Sequence, residues 1–108
     1  MSTASETPVL DTIAAMTVDS LERCGLAPDM LLLTRIAALA ASDAPPISYA
    51  AHIDPALQAG LTAEQLEDVL VAIAPIVGTA RVMTAAGNIA TALGIAIAVA
   101  EAEIETRG

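Results

Sequence analysis

Few side chains in this sequence can do chemistry near neutral pH, and the most versatile of them stand close together. His52 is the only histidine, the side-chain type that titrates near neutrality and can serve as a general acid or base. Ser48 stands four residues earlier, a spacing that stacks two side chains on one helix face. Tyr49 lies between them and adds the only phenol of the chain. Arg35 follows the apolar run Met30-Leu31-Leu32-Leu33, where a charge is costly unless paired. It can anchor a substrate carboxylate through two parallel hydrogen bonds, or form a structural ion pair with Asp43, Glu67 or Asp68. His52 has a plain structural alternative too, a hydrogen bond to a backbone carbonyl or to Asp54. Both pairs of alternatives stand at this level.

Other chemistries fail by inventory. One His and one Cys exclude a zinc site of usual composition and a CxxC redox pair, and the scattered glycines form no phosphate-binding loop. Thirteen acidic residues against four arginines give a net charge of −9, a field that repels phosphate backbones, so no nucleic-acid partner is expected. Cys24 has no internal partner, and the opening Met-Ser-Thr-Ala-Ser-Glu lacks the basic and apolar regions of a signal peptide, so the expected location is cytoplasmic. Val82 to Ala100 carries no charge over 19 residues. Its many small residues, and acids rather than a basic cluster after it, argue against a membrane span. They argue for a helix buried by another subunit.

The elements that must position these residues are helical. Alanine alone accounts for 25 residues, and there is no Phe or Trp; this composition favours an all-α domain with an aliphatic core. Residues 1–7 read as a flexible polar lead and 8–108 as a single domain. Thr7 and Pro8 open a first helix running to about Arg23, and Pro28 opens a central one. A short third helix is expected from Pro46 to about Ile53. Asp54 and Pro55 then restart the chain as cap and first residue, as far as Gly60. Thr62 and Gln65 form a capping box for a fourth helix, which Pro75 kinks or shortens and Gly78 ends. Thr79 caps a fifth, Gly94 is a possible break, and Ile95 to Glu105 forms a last helix with solvated acids. Arg81, in a first turn, reads most simply as structural. The small residues of the last third suit close helix approach across subunits.

The order of these pieces resembles a known family. Arg35-Ile36-Ala37-Ala38-Leu39-Ala40-Ala41, then Tyr49-Ala50-Ala51-His52-Ile53-Asp54-Pro55-Ala56-Leu57-Gln58-Ala59-Gly60-Leu61-Thr62, then Glu67-Asp68-Val69-Leu70 and Gly78, are similar to the carboxymuconolactone decarboxylase family. That family includes the AhpD-like alkylhydroperoxidases, and the likeness covers roughly residues 28–94. It implies an AhpD-like bundle of five to six helices, assembled as a trimer or hexamer with the site near the interface. The redox branch carries a Glu, a CxxC and a His; here Leu33, Pro45 and Ser48 stand at the first three places and only His52 is kept. Peroxide reduction by thiolates is therefore not implied.

The decarboxylase branch lacks the CxxC and has a Pro six residues before the His, as Pro46 stands before His52. Its chemistry is loss of CO₂ from an unsaturated carboxylated lactone, with no cofactor, metal or thiol. On this resemblance Arg35 and His52 are the catalytic cation and acid, and Tyr49 and Ser48 orient the substrate. The decarboxylases also tend to carry an aromatic before Gly78 and Pro-Ala-Ala after it, where this chain has Ile76 and Thr79-Ala80-Arg81. A lyase on a small carboxylated or lactone substrate, and a non-catalytic helical oligomer that binds a small molecule or partner, are the two readings.

Overall fold

A computed structural model describes the backbone of residues 5–107 and the side chains as far as residue 94. The described residues fold as five helices without strands: α1 Pro8–Arg23, α2 Pro28–Ala41, α3 Pro46–Gln58, α4 Ala63–Val77 and α5 Thr79–Arg107. Pro8, Pro28 and Pro46 each sit in a first turn, where the missing N–H costs nothing and φ is already helical. Before α4 the capping box is complete: Thr62 Oγ1 accepts from the Gln65 amide at 3.1 Å, and Gln65 Oε1 accepts from the Thr62 amide at 2.9 Å. Thr7 occupies the cap position of α1 without a capping bond; its hydroxyl donates to Asp11 Oδ1 at 3.4 Å.

α2 and α3 close in the same way. After α3 the Leu61 amide donates to the Ala56 carbonyl at 3.0 Å and the Gly60 amide to that of Leu57 at 3.1 Å, with Gly60 at φ +92°. This is the Schellman motif, which needs a left-handed residue. After α2 the Ala44 amide reaches the Leu39 carbonyl at 3.0 Å and the Asp43 amide that of Ala40 at 3.3 Å. There Asp43 itself takes the left-handed place at φ +55°, which Asp tolerates better than most residues.

The expected breaks at Asp54–Pro55 and at Gly94, and the expected early end at Pro75, are absent. α3 runs through Asp54 and Pro55. Proline inside a helix costs about 3 kcal/mol, but a break would take Ala56 out of register with Tyr49 and Ile53. These three, at i, i+4 and i+7, are no more than 1% exposed, and full burial of one large apolar side chain contributes about 1.5–3 kcal/mol. Asp54 is no cap; its carboxylate accepts from Gln58 Nε2 at 2.9 Å within the helix. α4 likewise continues past Pro75 to Val77, and Gly78 at φ +95° ends it. α5 starts at Thr79 rather than after it and passes through Gly94, because one glycine costs only about 1 kcal/mol against alanine. The side chains of the expected C-terminal acids lie outside the described residues.

The core is aliphatic around one aromatic ring. α2 supplies Leu31, Leu32, Ile36 and Ala40, α3 supplies Tyr49, Ile53 and Ala56, and α4 supplies Leu66 and Leu70; α5 adds Ala85, Ile89 and Ala92. α3 and α5 share the most extensive contact, which the small Ala85 and Ala92 allow. α1 stays outside. None of its residues is buried, and Val9, Leu10, Ile13, Met16, Val18 and Leu21 are all at least half exposed. The radius of gyration is 15.8 Å, against the roughly 13 Å of a compact domain this long. Among the described residues, no helix is long and apolar enough to cross a membrane.

Candidate functional site

The unbroken α3 extends the face that carries Ser48 and His52 as far as Pro55. Ser48, Ala51, His52 and Pro55, at i, i+3, i+4 and i+7, share one face of the unbroken helix. They line a cleft of about 660 Å³ with Leu32, Arg35 and Leu39 of α2 and with Leu10, Ile13, Thr17 and Leu21 of α1. The cleft is therefore walled by aliphatic groups and holds one guanidinium, one imidazole and two hydroxyls. Arg35, Ser48 and His52 are brought together.

His52 Nδ1 lies 2.7 Å from the carbonyl oxygen of Ser48, one turn back on its own helix. A carbonyl only accepts, so Nδ1 carries the hydrogen and Nε2 is the nitrogen that gains or loses a proton. The backbone bond foreseen for His52 is present and the one to Asp54 is not. It does not remove the ring from chemistry; it fixes the tautomer. Arg35 Nη2 donates to Ser20 Oγ of α1 at 3.0 Å. No carboxylate among the described residues lies within ion-pair distance of Arg35; the single ion pair there joins Arg23 and Asp19 at 2.7 Å. The partners foreseen at Asp43, Glu67 and Asp68 do not reach it.

Tyr49 is the site residue that the structure places elsewhere. One residue beyond Ser48, it is turned about 100° around the helix axis and sits in the core at 1% exposure. It does not line the cleft. Burial, with Asp43 nearby as a second cause, raises its pKa above the ordinary value of 10.0. Arg81 also has a structural place. Its Nη1 donates to the Ala41 carbonyl at 2.6 Å, a cation on the negative end of α2, and Asn88 Nδ2 reaches the Ala44 carbonyl at 3.4 Å. Both tie α5 to the turn that launches α3. Cys24, half-buried, accepts from the Leu26 amide at 3.5 Å in the link between α1 and α2.

A second hollow, about 710 Å³, lies between α4 and α5 and is lined by Leu70, Val71, Ala74, Val82, Ala86, Ile89, Ala90, Leu93 and Gly94, with Glu67 the one ionisable group. It has no cation for an anion and no second group for proton exchange. Sequence reasoning missed the part of α1 in the cleft, above all Ser20 on Arg35. The spacing Leu10, Ile13, Thr17 and Leu21 marks one stripe of α1, but nothing local says which helices that stripe faces.

No curated protein and no solved structure matches the chain. A family model does, over residues 8–92, and so takes in α1 to α4, the Arg35 and His52 segments and the first half of α5. On a match of that extent, the chain belongs to the carboxymuconolactone decarboxylase family.

Proposed function

We propose that the α1/α2/α3 cleft binds a small carboxylated or lactone substrate and that the chain acts on it as a cofactor-independent lyase. The observation that carries this reading is the convergence of Arg35 and His52 on one aliphatic cleft. Arg35 holds the substrate as an anion, a task for which its planar fork is suited. Ser48 orients the ring. The C–C bond to the carboxylate breaks, CO₂ leaves, and the electron pair passes into the unsaturated ring. The proton then returns to a ring carbon from Nε2 of protonated His52, while Nδ1 stays on the Ser48 carbonyl. Aliphatic walls favour the step because charge leaves the carboxylate as it proceeds.

The second reading, a helical oligomer that binds without turnover, is favoured by one observation: Arg35 is already engaged by Ser20. Either reading takes the protein as a cytoplasmic homo-oligomer, a trimer or hexamer. The exposed apolar residues of α1 support assembly. The test uses carboxymuconolactone as the probe and follows CO₂ release, together with the ring signals of His52 by NMR, unambiguous because the histidine is single. Turnover lost in both Arg35→Ala and His52→Ala supports the lyase. Shifts of His52 without CO₂ release support the binding protein. Turnover kept in both variants overturns the assignment.

A further inference from the structure

Among the described residues, two apolar surfaces are left without cover, and they are of opposite shape. One is a ridge: on α1, Val9 and Met16 stand seven residues apart on one stripe, 69% and 66% exposed, and neither lines the cleft. The other is the hollow between α4 and α5, whose rim of Ala74, Ala86, Ala90 and Gly94 leaves room for larger side chains. Ridges of large residues pack into grooves of this kind. We propose that α1 of one copy docks along the α4/α5 groove of a second copy of this chain.

Three observations select a second copy as the occupant. The first is area. A compact protein of 10.9 kDa exposes about 5,600 Å², whereas this chain exposes 7435 Å², an excess of roughly 1,800 Å². A standard interface takes about 800 Å² from each partner, so an excess of this size is enough for contact with a second copy. The second is helix stability. α1 has 16 residues and buries none of them, and a helix of that length is marginal in water without tertiary packing. The third is charge. Two chains of −9 each can meet only where acids are sparse. The Val9–Met16 stripe carries none, and the groove lining carries Glu67 alone.

The contact deepens the oligomer reading above by naming its surfaces, and it is independent of the chemistry assigned to Arg35 and His52. The test is disulfide trapping of the full chain in a Cys24→Ser background, with sedimentation equilibrium of the native chain alongside. Met16→Cys and Ala90→Cys chains, mixed and oxidised, are expected to give a species of twice the chain mass that neither variant gives alone. Glu22→Cys, on the polar side of α1, is expected not to pair with Ala90→Cys. Met16→Asp should weaken association at least tenfold with helicity by circular dichroism unchanged. An oligomer by sedimentation that gives no mixed disulfide overturns this contact and leaves the oligomer reading standing. A doubly substituted chain that closes only on itself likewise overturns this contact alone, and a monomer at tens of micromolar overturns both.

Discussion

The cleft and the groove are close in size, about 660 and 710 Å³, and nearly alike in their aliphatic walls, yet only one of them is lined by both a cation and an imidazole. The difference lies in two residues. The cleft holds Arg35 of α2 and His52 of α3; the groove holds Glu67 and nothing that could exchange a proton with it. Volume and apolarity are thus poor guides to function in a chain with so few charged side chains in its interior. Placement of one cation and one imidazole decides.

The largest expected effect breaks that comparison directly. His52→Ala should lower turnover of the probe by about 10²–10⁴-fold, the usual contribution of a general acid, while Glu67→Gln leaves it unchanged. The reverse outcome would move the site to the groove. Next comes the support of the cleft. Ile53→Ala, at a fully buried position on the core side of α3, should cost about 2–5 kcal/mol, read by chemical denaturation. Ala51→Ser, on the cleft side and exposed, should stay within about 1 kcal/mol. Equal costs would show that α3 does not divide so cleanly into a core side and a cleft side.

Smaller effects test what holds the start of α3. Arg81→Ala removes the charged donor from the Ala41 carbonyl and should cost about 1–2 kcal/mol. Asp43→Gly relieves the left-handed strain at φ +55° and should stabilise by up to about 1 kcal/mol. The same variant sharpens the account of Tyr49. With one tyrosine and no tryptophan, the alkaline absorbance change reports that phenol alone. Its midpoint should lie above the ordinary value of 10.0, chiefly from burial and secondarily from Asp43, and Asp43→Gly should bring it part of the way down. The sign for stability follows. The neutral phenol is favoured by the fold, so this contribution is complete below the unfolded value near 10 and is lost as pH rises through the higher folded value. Tyr49→Phe should flatten that alkaline decline.

Much of this architecture could be read from single residues. Pro8, Pro28 and Pro46 mark helix starts, Thr62 with Gln65 marks a cap, and Gly60 and Gly78 mark ends, since each acts through sterics or hydrogen bonds within a few residues. The pairing of Ser48 with His52 was equally legible as one helical turn. What failed were the break at Pro55, the early end at Pro75 and the break at Gly94. There a local cost of roughly 1–3 kcal/mol competes with burial that involves residues far along the chain. Tyr49 failed for the same reason. A phenol next to Ser48 is a plausible ligand group by type, but the face it shares with Ile53 and Ala56 is the one that packs on the core.

The sequence by itself therefore determined an all-helical chain, most helix ends, and a short inventory of residues able to act on a substrate. Tertiary structure decided which of them meet. It turned Arg35 toward α1 and the cleft, turned Tyr49 inward, set Arg81 on the end of α2, and left α1 and the α4/α5 groove uncovered. Helix ends are settled by neighbours in the chain, whereas the rotation of each helix is settled by which face removes the most apolar surface from water, and that sum runs over the whole molecule.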